Sequence, residues 1–423
     1  MTQSITAKEV SKRVENEREN IISLLRDILR IPSVTGEETE IQNYFSKYLS
    51  GLGLEVDVWE PDLDRLKNHP AFVPVKKDYK GRPNVVAVLR GSGGGKSLIF
   101  NGHVDVIPPG PREAWSVDPW GGEIINGRIY GRGAADMKSG LAAMTSAVKI
   151  IKQMGLKLKG DIILEYTVDE ELSGNGTLDC VLRGYKADAG ISLETSSMKI
   201  QPACIGRIWF EITIKGKPAG IQNRRMGVNA IDLAYKIKQA VEHYEALRIS
   251  VLNHPLFPDK IEALPCIIGE FRAGNYPSAF PDIAVLKGSI ATLPNENSDQ
   301  VKTDFKKYIE EVANQDPWMK NNPPKVEYTG YFAEPSEMDI KHPILQVIKN
   351  SYTEVLNSQP VISGRTGAAD IRFLNKYGNT PSLIFGPGDT LQMHATDEYV
   401  NIEDVINATK VLVKTIVDWS GVE

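Results

Sequence analysis

Cysteine is scarce in this chain: three residues, Cys180, Cys204 and Cys266, odd in number and far apart. That spacing excludes a disulfide framework and fits a reducing compartment, so a cytoplasmic protein is expected. Long apolar runs are missing as well. No stretch approaches the ~20 residues a membrane helix needs. The opening MTQSITAKEVSKRVENEREN has no apolar core segment, so no signal peptide is expected. There is no block of like charge either. The net charge of −5 is dispersed, which leaves no electrostatic footprint for nucleic acid. Low complexity is confined to the turn GSGGGK at 91–96, and no internal repeat is visible. Histidine is rare, six in 423 residues, so the places where it stands carry information.

What is present is an ordinary globular composition, 41% hydrophobic and 24% charged. At about 150 residues per domain, the length suggests two or three domains. Residues 20–30 and 39–50 have helical apolar spacing, the second run followed by Gly51 as a C-cap. Strand-like runs follow at 54–59, 84–89 and 97–100, then a helix over 137–154 and the strand-like DIILEYTV. Alternating strands and helices indicate an α/β domain with a largely parallel sheet. The texture changes near 204. GRIWFEITIKG (206–216) alternates apolar and polar residues, a helix is expected over 228–248, strands over 263–272 and 283–292, a helix over 298–314, and a last strand at 326–331. This β-α-β-β-α-β order fits a ferredoxin-like unit. Helices at 343–356 and 402–419, with PSLIFGPG between them, restore the α/β texture. The expected organisation is therefore one α/β domain in two pieces, 1–204 and 331–423, with a second domain inserted at 205–330.

Chemistry gathers at strand ends. His103 and Asp105 follow SLIFNG; Glu170 and Glu171 end DIILEYTVDEE; Glu194 ends DAGISLE; His394 lies a short loop beyond SLIFGPG; and Asp136 precedes the helix near Met137. Open parallel sheets bind ligands outside the carboxyl ends of their strands. If these strands share a sheet, two histidines and several carboxylates meet on one edge. Each piece also has a bland reading: Asp136 as an N-cap, Glu170 and Glu171 as a solvated loop start, His394 as a hydrogen-bonded loop residue. Together they point to metal. Imidazole and carboxylate suit zinc, manganese or cobalt. Two divalent ions about 3.5–4 Å apart would offset the crowding of acids, with one acid bridging and one glutamate left to handle protons. Glu170 and Glu171 can both reach such a site only if extended structure ends there, because strand side chains alternate. Ser173-Gly174-Asn175-Gly176 offers that break.

The ordered motifs GHVDVIPPG, GRGAADMKSG, VDEELSGNG, ISLETSS and GPGDTLQMHATDEYV resemble the metallopeptidase superfamily of acetylornithine deacetylase, succinyl-diaminopimelate desuccinylase, aminoacylase and glutamate carboxypeptidase. The resemblance covers about residues 20–420. It implies a catalytic domain with an inserted ferredoxin-like lid and dimerisation domain. It also implies a homodimer, which the strand 206–215 would make by pairing edge to edge with a second copy, and two divalent ions, most often zinc, with cobalt or manganese as substitutes. His103, Asp136 and Glu194 would hold one ion; Asp136, Glu171 and His394 would hold the other, Asp136 bridging. Asp105 would orient His103, and Glu170 would be the general base and later the acid in amide hydrolysis.

The match is incomplete on the substrate side. Gly220 stands where the lid of these relatives carries an oxyanion-stabilising histidine; Gln222, Asn223, Arg224 and Arg225 are neighbouring substitutes. Ala291 replaces a frequent arginine, Ser278 a common asparagine and Ala369 a frequent threonine, while Arg372 remains as a structural or substrate-contacting residue. An intact metal site beside an altered acyl pocket suggests a deacylase acting on a small N-acyl or N-formyl amine, with the formylaminopyrimidine deformylases of this superfamily as one candidate. A dipeptidase or carboxypeptidase on the same scaffold is the nearest alternative, and a metal-binding relative without catalysis a remote one.

Overall fold

The computed structural model describes residues 5–423. The chain divides into two compact units: Met1–Ala203 with Glu337–Ser363 and Ala369–Glu423, and Cys204–Ser336 with Gly364–Ala368.

The first unit is built on a mixed sheet. Seven strands follow one another in the order Glu55–Trp59, Asn84–Leu89, Ile162–Thr167, Leu98–His103, Ala189–Ser192, Ser382–Ile384 and Ile200–Cys204. The central four are parallel; their neighbours on both sides run antiparallel. Every residue of Ile162–Thr167 and of Leu98–His103 is buried, which is why these runs read as continuous apolar sequence rather than as an alternation. Helices pack around the sheet, among them Arg18–Leu29, Thr39–Gly51, Ser139–Gln153, Pro343–Leu356 and Ile402–Ser420. One apolar cluster joins Leu98, Phe100, Leu164 and Ile191 of the sheet to Leu141, Met144, Ile406 and Leu412 of two helices. A separate three-stranded sheet sets Tyr399–Asn401 beside Arg128–Tyr130 and Glu123–Ile125. Cys180, Cys204 and Cys266 are all buried and unbridged.

The second unit has an antiparallel sheet in the order Cys266–Ala273, Ile283–Thr292, Gly206–Lys215, Lys325–Glu327. With the helices Ala230–Val251 and Ser298–Ala313, it makes the expected ferredoxin-like arrangement. Ile208, Phe210, Ile212 and Ile214 are buried with Leu233, Ile237, Val241 and Phe305 from the helices. The expected last strand, 326–331, is shorter than the sequence suggests and resumes as Phe332–Ala333. One expectation is corrected. The strand at 206–215 would serve a dimer by pairing edge to edge with a second copy, but it has no free edge. Ile283–Thr292 pairs with its whole length, and Lys325–Glu327 and Phe332–Ala333 cover its other side. The outer strands of this sheet are Cys266–Ala273 on one side and the short Lys325–Glu327 and Phe332–Ala333 on the other. No helix among the described residues is long and apolar enough to cross a membrane.

Candidate metal centre

The four parallel strands deliver their carboxyl ends to one edge. His103 is the last residue of its strand, and Glu194 follows Ala189–Ser192 by two residues. The chain leaving Ile162–Thr167 turns at Asp169, whose φ is +67°. Extended structure therefore stops four residues before the Ser173–Gly176 break that the sequence suggests. The turn is held from afar: Tyr79 donates to the Asp169 carboxylate at 2.7 Å and Arg82 at 3.2 Å. Of the three acids DEE, the first is thus a buried strut, and the next two bring their carboxylates within 4.0 Å of a histidine ring.

Asp136 lies in an irregular turn, Ala134–Lys138, ahead of the helix Ser139–Gln153. No side chain caps that helix, so Asp136 is not its N-cap. Its carboxylate is split between two groups. One oxygen lies 3.3 Å from His103 Nε2 and the other 3.5 Å from His394 Nε2. Glu194 is 3.3 Å and Glu170 4.0 Å from His103 Nε2; Glu171 is 3.0 Å from His394 Nε2. His103, Glu170 and Glu194 form one set of mutually close ligand atoms, and Asp136, Glu171 and His394 a second.

Asp105 ties the strand ends together. Its side chain accepts from the main-chain N–H groups of Glu170 at 3.0 Å and Glu171 at 3.3 Å, and from the Thr35 hydroxyl at 2.8 Å. His103 Nδ1 lies 2.8 Å from the Asp105 main-chain oxygen and 3.5 Å from its carboxylate. The nearer orienting acceptor is therefore the carbonyl of Asp105 rather than its carboxylate.

The electrostatics test whether a cation fits. If His103 Nδ1–H donates to the carbonyl of Asp105, a neutral ring presents a bare Nε2 lone pair to three carboxylates, acceptor against acceptors. Burial opposes charging His103, yet its bonds to Asp105, Asp136 and Glu194 outweigh burial and hold its pKa well above the ordinary value. His394 is pushed up to about 10 by Asp136 and Glu171. Burial, and then the neighbouring Asp370 and Glu194 charges, drive Glu170 well above the carboxylate range; burial first also lifts Glu171 to about 7. Without a cation, the four carboxylates Asp136, Glu170, Glu171 and Glu194 share this edge only by holding protons on themselves and on the histidines, and the buried Glu171 Oε1 has no hydrogen-bond partner. Two divalent cations answer both. A mixed imidazole–carboxylate donor set suits first-row divalent metals.

Arg372 is not available to a substrate. It is 2% exposed; its guanidinium holds the Ser173 carbonyl at 2.9 Å, lies 3.2 Å from Asp370, and stacks on Phe373. It braces the loop that carries Glu170 and Glu171. Gln222, Asn223, Arg224 and Ser278 belong to the second unit and are exposed. A short ladder pairs Gly220 with Ala279 and brings Ile221 N to 3.1 Å from Ser278 O, so these four candidates are neighbours. The sequence reading overlooked two buried carboxylates of the first unit, Asp370 and Glu398. Glu398 stands four residues past His394, in HATDEYV, the only local hint of its place.

A curated relative, N-formyl-4-amino-5-aminomethyl-2-methylpyrimidine deformylase from Bacillus subtilis, is 30% identical over 97% of both chains. A probable succinyl-diaminopimelate desuccinylase from Staphylococcus epidermidis is 27% identical over 90% of this chain and 92% of its own length. The crystal structure of a tripeptidase from Staphylococcus aureus superposes with a TM-score of 0.74 at 22% identity, covering 95% of this chain and 98% of the other. The model of peptidase family M20/M25/M40 matches residues 99–418, a span that holds all six clustered histidines and carboxylates. By that match and that geometry, the chain belongs to the M20/M25/M40 peptidase family and is a metal-dependent amide hydrolase.

Proposed function

We propose that this chain removes a small N-acyl group, in the first instance formyl, from an amine whose nitrogen becomes the leaving group. The supporting observation is the division of the Asp136 carboxylate, 3.3 Å from one histidine and 3.5 Å from the other. In this reading His103, Asp136 and Glu194 hold one ion and Asp136, Glu171 and His394 the other, with zinc the native metal and cobalt or manganese able to substitute. When bound, the ions activate water and polarise the amide carbonyl. Glu170 takes the proton that the attacking water loses and returns it to the departing nitrogen, so amide and water become acid and amine. Two things suit Glu170 to this. Its main chain is fixed by Asp105 at 3.0 Å, and its carboxyl is driven toward proton-carrying pH by burial and neighbouring charge. The formyl preference rests on the 30% identity to the B. subtilis deformylase. Gln222, Asn223, Arg224 and Ser278 are the candidates for the oxyanion contact that Gly220 cannot make. The unbridged cysteines are consistent with cytoplasmic work, and a homodimer is expected from the family.

The test is a Glu170→Ala variant assayed with N-formyl, N-acetyl and N-succinyl amines and a dipeptide panel. General acid–base help is worth about 10²–10⁴-fold, so turnover falls by that factor while metal content stays at the wild-type level. Near-normal turnover in the variant rejects the role of Glu170. Cleavage of dipeptides in preference to every N-acyl amine rejects the deacylase reading in favour of a peptidase.

A further inference from the structure

Glu398 is fully buried, 0% exposed, and is not one of the six clustered residues; its carboxylate is bonded to Arg132 and to main-chain N–H groups. The strand that follows it, Tyr399–Asn401, runs antiparallel to Arg128–Tyr130, with Tyr399 opposite Tyr130. That register lays Glu398 over the segment Gly131–Asp136. Its main-chain oxygen accepts from Gly131 N at 2.9 Å. Its carboxylate accepts four bonds: Arg132 at 2.6 Å and Gly133 N at 3.0 Å on one oxygen, Ala135 N at 2.8 Å and Asp136 N at 3.0 Å on the other. The loop can wrap a carboxylate this closely because Gly133 has φ +86°, and a Cβ there would lie 2.7 Å from Val106 Cγ1.

Four donors converging on two oxygens require an acceptor-only group. Glutamine has nearly the same shape but would turn an amide NH₂ toward two of them. A further carboxylate beside a crowded acidic site is also a costly choice for stability alone, since apolar residues replace buried ion pairs at little or no loss. What it accomplishes is geometric. One of its bonds holds the backbone of Asp136, whose side chain reaches both histidines, and its own segment carries His394 four residues earlier.

We infer that Glu398 is a positioning residue for the metal pair: by gripping the Gly133–Asp136 main chain, it fixes the bridging carboxylate relative to His394. This rests on the two-metal reading. Groups that orient metal ligands typically change affinity about 10–100-fold when mutated.

The experiment strips the full-length protein with chelator and titrates it with Zn²⁺ or Co²⁺, following stoichiometry, affinity and the Co²⁺ absorption spectrum. Amide hydrogen exchange is measured in the metal-free state. Wild type is expected to take up two ions. Glu398→Gln is expected to release at least one of them about 10–100-fold more readily, with faster exchange at Ala135 and Asp136 and unchanged exchange in the strand Ile162–Thr167. Glu398→Asp keeps the charge but withdraws it by one methylene, so it should lose less affinity in the same direction. It also decides the matter if the glutamine variant does not fold. Wild-type affinity for both ions in whichever variant folds overturns the proposal. A wild-type protein that binds no ion rejects instead the two-metal reading beneath it.

Discussion

In the second unit, Ile208, Phe210, Ile212 and Ile214 fill one face of a strand, while Glu211 on the other face pairs with Lys287 at 3.1 Å across the ladder, both partly in water. In the first unit, the strands Leu98–His103 and Ile162–Thr167 have no wet face at all. Apart from Glu165, the ionisable residues of this sheet collect where its strands stop, and there they are buried together: His103, Asp105, Asp136 and Glu194 are each 6% exposed or less. The contrast follows from sheet type. An antiparallel sheet covered on one side disposes of charge by alternation, residue by residue. A sheet buried on both sides cannot, so its loops concentrate charge into a cluster that a ligand of opposite sign can balance. The same backbone arrangement that makes the first unit apolar inside makes its sheet edge a cation site.

Metal removal bears on this contrast most heavily. An ion held at a thousandfold excess over its Kd stabilises the folded state by about 4 kcal/mol. Chelation should therefore raise hydrogen exchange sharply in Leu98–His103, Ile162–Thr167 and the segment around Asp136. In the second unit, where no such ligand group occurs among the described residues, the strands Gly206–Lys215 and Ile283–Thr292 should keep their protection. Equal loss in both units would break the comparison.

How much of this was legible follows the same division. Gly206–Lys215 and Ile283–Thr292 were readable to within a residue because alternation is local. The gathering of His103, Asp136, Glu171, Glu194 and His394 was readable because each interrupts or follows a strong local pattern. What escaped depends on distant partners. The turn at Asp169 is set by Tyr79 and Arg82, far away in sequence. Glu398 acts on main-chain N–H groups more than 260 positions earlier, and such groups have no letter in a sequence. The edge position assigned to 206–215 failed because strand order is a property of the assembled sheet. The helix Asn175–Arg183 was hidden by its opening glycines, GNG, which look like a turn.

A buried acid away from the metal ligands gives a sharper probe of the first unit. Glu165 sits mid-strand and 0% exposed, with one oxygen bonded to Asn101 at 3.0 Å and the other without a partner. Burial, only partly offset by Asn101, pushes it from 4.5 up to about 8. Between those values the native state holds a proton that the unfolded chain has released. Stability therefore falls as pH rises through that window, by up to about 1.4 kcal/mol per pH unit, and levels off above it. Glu165→Gln mimics the protonated form. It should match wild type in urea denaturation near pH 5 and exceed it by about 2–3 kcal/mol near pH 7.5. A pH-independent difference would mean that Glu165 is ionised in the fold, and that strand interiors of this unit tolerate charge as its edge does.

The smallest expected effect lies in the second unit, at the position where relatives of this type would carry a histidine. Gly220 has φ −66° and ψ 159°, an extended conformation open to any residue. A Cβ added there would meet only Gln222 Oε1, at 3.6 Å, an ordinary contact. The glycine is thus required neither by backbone strain nor by crowding. Gly220→His should leave stability within about 0.5 kcal/mol of wild type, the usual range for surface substitutions, as read by thermal unfolding of the metal-loaded protein. Gly288 in the same unit is the control. Its Cβ would lie 2.1 Å from Ile267 O and 2.4 Å from Phe210, inside the sheet and its core, so even Gly288→Ala should destabilise clearly. If Gly220→His proved as costly as Gly288→Ala, the loop at 220–226 would be packed more tightly than its exposure indicates. The missing histidine would then be a structural necessity of this chain, not a change on the side that selects substrate.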